Sequence, residues 1–92
     1  MTETFKNVWD ALEDDPAERE SMKIKSCLMM DIETCIKKQG LTQKQAAQKM
    51  GVTQPRISDL VRGKVNRFTI DMLVNMLARL GMHVEVTLKD AA

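Results

Sequence analysis

Residues 40–64, GLTQKQAAQKMGVTQPRISDLVRGK, predict two short helices joined by a tight turn at Gly51. Helices of about eight residues are too short to be stable alone in water, so most of their stability must come from tertiary packing. Gly51 suits the turn because glycine adopts a positive φ at little cost. This stretch therefore predicts the centre of a small helical domain.

The first short helix carries a start signal and a buried face. Thr42 followed three residues later by Gln45 is a capping-box pattern. We expect the helix to run to about Met50 and to bury Ala46 or Ala47 together with Met50. Small alanines allow a second helix to cross closely.

The second short helix begins after a capping Thr53 and tolerates Pro55, because amides of the first turn have no partner within the helix. Its predicted buried face is Ile57, Leu60 and Val61. We expect the helix to end before Gly63. The polar residues left on its other faces are Gln54, Arg56, Ser58, Asp59 and Arg62.

Two longer helices are predicted on either side of this pair. The first is expected from about Ser21 to Lys38, after Asp14, Asp15 and Pro16 interrupt the pattern, and its apolar face is Ile24, Leu28, Ile32 and Ile36. The other is expected from a capping Thr69 to about Gly81. Phe68 and Leu73 would form a hydrophobic staple around that cap.

The last segment, MHVEVTLK, changes from helical to alternating periodicity and predicts a strand. A single strand is not stable alone, and no second strand is predicted in this chain. We therefore expect the strand to pair with its equivalent in a second copy. The dimerisation candidates are Met82, Val84, Val86 and Leu88.

Charge divides the chain unevenly. Residues 1–22 carry seven acidic and two basic side chains, a net charge of −5, whereas residues 23–92 have a net charge of +6. We expect an acidic leader at residues 1–20, a helical domain at 21–81, and a dimerisation strand and tail at 82–92. A short helix in the leader is expected to carry an apolar stripe formed by Phe5, Val8, Trp9 and Leu12. This stripe could dock on its own domain, bind a partner protein or remain mobile. The leader could also serve only to keep the protein soluble.

Several classes of protein are disfavoured by composition. No apolar run approaches the roughly 20 residues of a membrane span, and the start of the chain does not resemble a secretory leader, so we expect a cytoplasmic protein. Cys27 and Cys35 are eight residues apart on one predicted helix, too far for a disulfide between them, and we expect free thiols. The single histidine, His83, has no evident catalytic or metal-binding partner. We expect no enzyme activity, metal or cofactor.

The polar side of the second short helix indicates what the pair does. Because Ile57 and Leu60 anchor the helix, its polar side must face away from the protein. Glutamine can bond to adenine and arginine to guanine, and two short helices joined by a glycine turn form a helix-turn-helix motif that places its second helix in the major groove of DNA. The alternative is a helical domain whose polar face is only solvated.

The stretch LTQKQAAQKMGVTQPRISDLVRGK closely resembles the helix-turn-helix of the Cro and lambdoid-repressor class, the XRE family. The resemblance extends to the HigA-like antitoxin branch through KNVWDAL before the first long helix and MHVEVTLK at the end. It implies a compact all-α domain of four to five helices with one C-terminal β-strand paired across a homodimer. It also implies a repressor of its own operon that binds a near-palindromic operator and neutralises a basic RelE-like (HigB-like) ribonuclease toxin. The alternative is a phage-like regulator of the same family without a toxin partner.

The resemblance also assigns roles. Gln43 would grip a phosphate and brace the reading helix, and Gln54 falls on the family's first base-contacting position. Pro55 departs from the usual polar reader, and Asp59 could accept from cytosine or pair with Arg56 or Arg62. The full set of candidate DNA-binding residues is Gln43, Thr53, Gln54, Pro55, Arg56, Ser58, Asp59, Arg62, Lys64, Asn66 and Arg67.

Overall fold

The computed structural model describes residues 15–90, and these residues form four α-helices and one short 3-10 helix. The α-helices are α1 (Pro16–Lys38), α2 (Gln43–Met50), α3 (Gln54–Val61) and α4 (Ile70–Arg79), and the 3-10 helix is Val65–Arg67. Helices α1 and α4 pack together, and both contact the short pair. The predicted all-helical domain is confirmed.

The start of α1 differs from the prediction. The helix begins at Pro16 rather than near Ser21, because Asp15 acts as its N-cap. The Asp15 carboxylate accepts hydrogen bonds from the amides of Ala17 (3.0 Å) and Glu18 (3.5 Å). Proline is favourable at the first helical position, where its missing N–H has no role and its fixed φ suits the helix. The Asp-Pro pair that we interpreted as an interruption is the helix start.

The buried residues of α1 all lie in its second half. Leu28, Ile32 and Ile36 are buried as predicted, and Met29 joins them. Ile24 is 41% exposed, so its predicted place in the core is wrong. The helical period was correct, but the first half of α1 extends past the residues that form the core.

The capping and turn predictions for α2 are confirmed. Thr42 Oγ1 accepts from the Gln45 amide (3.1 Å), and Gln45 Oε1 accepts from the Thr42 amide (2.9 Å). Gly51 has φ 69° and ψ 32°, in the left-handed region. Ala46 and Ala47 are both buried, which lets α3 pack closely against α2.

Helix α3 is anchored by two residues rather than the predicted three. Ile57 and Leu60 are 0% and 2% exposed, whereas Val61 is 42% exposed. Val61 follows Ile57 by four residues and shares its face of the helix, so its spacing fits a buried position. It is, however, the last residue of α3, where it lines a surface concavity with Met30 of α1.

The start of α4 matches its prediction. Thr69 caps the helix by accepting from the Met72 amide (3.1 Å), and Phe68 and Leu73 are both buried, as a staple requires. The buried core of the described residues combines side chains from all four helices with Phe68 and with Leu80, the C-cap of α4. Its members are Leu28, Met29, Ile32, Ile36, Ala46, Ala47, Met50, Ile57, Leu60, Phe68, Leu73, Met76, Leu77 and Leu80.

The segment after α4 does not form the predicted strand in the single chain, and no strand occurs within residues 15–90. Val84 is half-buried against the core, while Met82, Val86 and Leu88 are 49%, 80% and 92% exposed. A strand requires a neighbour for its backbone hydrogen bonds, and no segment of the described chain is placed to supply one. Pairing with a second copy stays a prediction.

Both cysteines are free thiols on α1, as expected: Cys27 is exposed and Cys35 is half-buried. Among the helices of residues 15–90, none combines the length and apolar character needed to cross a membrane.

Candidate nucleic-acid interface

The candidate interface is the outer side of the α2–α3 pair. The burial of Ile57 and Leu60 turns the opposite side of α3 outward, so Gln54 and Pro55 are exposed and Ser58 is partly exposed. Gln54 and Pro55 lie at the beginning of α3, the end of a recognition helix that contacts base edges in helix-turn-helix proteins, and Ser58 follows one turn later. The core therefore sets which residues of α3 can reach a ligand.

The structure brings together predicted contacts from both short helices. Gln43 at the start of α2 and Gln54, Pro55 and Ser58 of α3 line one shallow surface concavity. Thr53, also exposed, uses its hydroxyl to accept from the Arg56 amide (3.3 Å) as the N-cap of α3. The amide side chains of Gln43 and Gln54 supply both donors and acceptors at this surface.

The Arg56 side chain contacts its own protein rather than extending outward as a base-reading side chain would. Its Nη1 donates a hydrogen bond to the backbone carbonyl of Arg67 (2.9 Å). Its guanidinium carbon lies 5.6 Å from the centroid of the Phe68 ring, within the range of a cation–π contact. The Arg56 side chain is therefore directed along the protein toward the loop that follows α3.

Asp59 also faces that loop. Its carboxylate lies 3.4 Å from Arg67 Nη1 and 3.8 Å from Lys64 Nζ. The sequence suggested a bond to cytosine or pairing with Arg56 or Arg62. In the structure Asp59 pairs with Lys64 and Arg67 rather than with either of those arginines. The reason is the tight return of the chain after α3, where the Lys64 amide donates to the Asp59 carbonyl (3.0 Å).

Charge on this part of the molecule is strongly positive. Residues 40–70 contain six basic side chains and one acidic side chain, Asp59. The basic residues are Lys44, Lys49, Arg56, Arg62, Lys64 and Arg67. Arg62, Asn66 and Arg67 are exposed, and Lys64 is partly exposed. Such a surface attracts the phosphates of nucleic acid.

Lys44 is a cation that the sequence analysis missed. It is exposed and follows Gln43 in the first turn of α2. A positive charge at a helix N-terminus opposes the helix dipole, by about 0.3–1 kcal/mol for exposed groups. The unfavourable placement of this cation was visible in the sequence, and it adds to the charge available to an anion at the beginning of α2.

Gln39 is a second residue that the sequence did not single out. Its Nε2 donates to the carbonyl of Leu80 (3.1 Å), and its Oε1 accepts from Lys49 Nζ (2.6 Å). These bonds connect the end of α1 with α2 and with the end of α4. No local sequence pattern predicts them, because Gln39 and Leu80 are far apart in the chain.

The remaining candidate residues lie elsewhere. The apolar stripe of the leader, which includes Trp9, lies outside the described residues. His83 is exposed, with its Nε2 3.7 Å from a carboxylate oxygen of Glu85. Within residues 15–90 no three His, Cys, Asp or Glu side chains are arranged to hold a metal ion.

The chain matches a family model described as a helix-turn-helix domain over residues 11–89. No curated protein matches the chain. The family match covers the four helices, the turn at Gly51 and most of the C-terminal segment. A helix-turn-helix domain with a polar, cation-flanked second helix is a DNA-binding module. The chain belongs to this helix-turn-helix domain family and is a DNA-binding regulator.

Proposed function

We propose that the protein is a sequence-specific repressor that binds a near-palindromic operator as a homodimer and regulates its own operon. The observation that carries the proposal is the shared surface of Gln43, Gln54 and Ser58, which is polar, exposed and flanked by cations. In this proposal the protein performs no catalysis and needs no metal or cofactor.

Base reading falls to the beginning of α3. Gln54 is exposed and could bond to adenine through its amide, while Pro55 offers an apolar contact to a thymine methyl group. A bidentate base contact contributes about 1–3 kcal/mol of discrimination. A few such contacts in one protomer give limited specificity, so the proposal requires two copies.

Affinity comes mainly from phosphate contacts. Lys44 follows Gln43 in α2, and Arg62, Lys64 and Arg67 follow α3 in the chain. Each phosphate they neutralise lowers the slope of log K against log salt by about 0.9. Gln43 at the N-terminus of α2 adds a neutral donor. These contacts position α3 but do not distinguish sequences.

The proposed dimer uses the C-terminal segment. Val86 and Leu88 are almost fully exposed in the single chain, and they alternate with polar residues at strand spacing. Pairing two such segments about a twofold axis would bury these side chains and satisfy the exposed backbone. The two α3 helices would then meet half-sites about 34–36 Å apart.

Fluorescence anisotropy on the DNA directly upstream of the gene tests operator recognition. We expect this DNA to bind at least about 10³-fold more tightly than a scrambled fragment. Gln54→Ala should reduce that ratio by about 5- to 100-fold. The matched control is Gln48→Ala, an exposed glutamine on α2 outside the concavity. Equal binding to both fragments by the unmodified protein would exclude a repressor of this promoter.

Sedimentation tests the dimer. Val86→Asp places a charge on a side chain that is 80% exposed, so it should leave the helical fold intact but prevent association. Thr87→Asp, the neighbour on the opposite face of the predicted strand, is the control. Deletion of residues 81–92 should also prevent association and thereby abolish operator binding. A truncated protein that remains dimeric would refute this arrangement.

The proposal further assigns the protein as the antitoxin of a basic RelE-like ribonuclease. Its support is the resemblance of nearly the whole chain, from about Asn7 to Lys89, to HigA-like antitoxins, together with the net charge of −5 in residues 1–22. An acidic segment with apolar anchors would match a basic, RNA-binding groove. The alternative is a stand-alone regulator, and a basic ribonuclease encoded beside the gene would discriminate against it.

Binding to the purified neighbouring gene product tests the antitoxin role. Replacing Phe5 and Trp9 together by alanine should weaken the complex while operator binding stays unchanged. Unchanged affinity for the partner would exclude the stripe as an anchor. Absence of binding by the unmodified protein would favour the stand-alone regulator.

A further inference from the structure

Helix α3 holds the loop that follows it through two side chains three residues apart, on one face of the helix. Arg56 bonds to the carbonyl of Arg67, and Asp59 pairs with the side chains of Arg67 and Lys64. We call these four residues, together with Phe68, the loop clamp. The clamp connects α3, which carries the reading surface, with Lys64 and Arg67, two of the cations assigned to phosphate.

The environment of Arg56 fixes its direction. Phe68 is 1% exposed and belongs to the core, so the ring beneath the guanidinium has little freedom to move. An Arg56 that turned toward a base edge would lose the contact with this ring. It would also leave the Arg67 carbonyl without its side-chain partner. Holding the loop and reading a base therefore exclude each other for this side chain.

Asp59 brings two cations together. Lys64 and Arg67 would repel each other if they stood alone, and the carboxylate between them offsets that repulsion. The side chain of Asp59 is only 18% exposed, whereas those of Lys64 and Arg67 are 39% and 55% exposed. Arginine has five N–H donors and lysine three, so both cations keep donors for a phosphate while they contact Asp59.

We propose that Arg56 and Asp59 are positioning residues that hold the segment from Lys64 to Arg67 ready for the DNA backbone, and that neither reads a base. The inference rests on the proposed DNA binding and assigns two residues of that surface a different role from Gln54. Base reading is left to Gln54 and its neighbours in the concavity, and Arg56 and Asp59 act on affinity through the loop.

The first experiment needs no DNA. Backbone ¹⁵N relaxation should show lower order parameters for residues 65–67 in Arg56→Met and Asp59→Asn than in the unmodified protein. Arg62→Met, which changes an exposed arginine at the end of α3, should leave them unchanged. Circular dichroism confirms that each variant is folded. Unchanged order parameters in both clamp variants would overturn the clamp, whether or not the protein binds its operator.

The second experiment separates positioning from base reading. Arg56→Met should weaken binding to the operator and to a base-changed operator by the same factor, about 3- to 30-fold. The salt slope should become shallower by about 1. A variant that is less stable but still folded in the assay would keep the slope of the unmodified protein. Loss of discrimination comparable to that of Gln54→Ala would show that Arg56 reads a base and would overturn its assignment.

The relaxation experiment is independent of the repressor hypothesis. If the unmodified protein shows no preference for the operator, the proposed function fails while the relaxation data still decide the clamp. The salt slope can also be measured on unrelated DNA, where phosphate contacts dominate.

Discussion

Replacing Ile57 by alanine should destabilise the domain far more than replacing Val61, although both lie on α3 and both fit an apolar pattern. Ile57 is 0% exposed and Val61 is 42% exposed. Ile57→Ala removes three buried carbons, and at about 0.8 kcal/mol each the transfer term is about 2.4 kcal/mol. The cavity left behind brings the expected loss to about 2–5 kcal/mol.

Val61→Ala removes two carbons from a side chain that already contacts water. Its transfer term should be below about 1 kcal/mol, and the better helix propensity of alanine offsets part of it. Against a typical stability of about 5–15 kcal/mol for a whole domain, the Ile57 change is large and the Val61 change is small. The pair therefore tests burial separately from hydrophobicity.

Urea denaturation followed by far-ultraviolet circular dichroism measures both variants. We expect Ile57→Ala to lower the midpoint strongly and Val61→Ala to lower it slightly, with similar m-values. Equal losses of unfolding free energy in the two variants would refute the assignment of Ile57 as buried and Val61 as exposed. A loss below about 1 kcal/mol for Ile57→Ala would show that α3 is not anchored as described.

Three further changes test the caps, the turn and the bridge between helices by thermal denaturation, where 1 kcal/mol shifts Tm by about 4–8 °C for a domain of this size. Thr42→Ala removes half of the capping box and should cost about 1 kcal/mol, whereas Thr34→Ala, in the interior of α1, should be near neutral. Gly51→Ala should cost about 1–2 kcal/mol, because φ is 69° there; an unchanged Tm would contradict the left-handed turn. Gln39→Ala should cost about 0.5–1.5 kcal/mol through loss of its bond to Leu80, and a neutral result would mean that this bond adds no net stability.

The candidate site was predictable in outline. The Gln54 and Ser58 side chains face outward because Ile57 and Leu60 face inward, and this follows from helical periodicity. The partners of Arg56 and Asp59 were not predictable, because these partners, Lys64 and Arg67, lie in the loop after α3. Their positions depend on where that loop returns.

One error was local and avoidable. Asp15 and Pro16 form a favourable helix start, a cap followed by proline at the first helical position, and we interpreted them as an interruption. The errors at Ile24 and Val61 were of another kind. Their spacing is correct for an apolar face, but spacing does not show where a helix extends beyond its neighbours.

The sequence by itself determined the local structure: the caps at Thr42, Thr53 and Thr69, the glycine turn, and the period of each helix. These depend on groups within a few residues of one another, so their chemistry can be recognised along the chain. Only the tertiary structure decided which apolar residues are covered and which charged side chains contact the loop after α3. Those outcomes depend on the packing of α1 against α3 and α4, which brings together residues that are distant in the sequence.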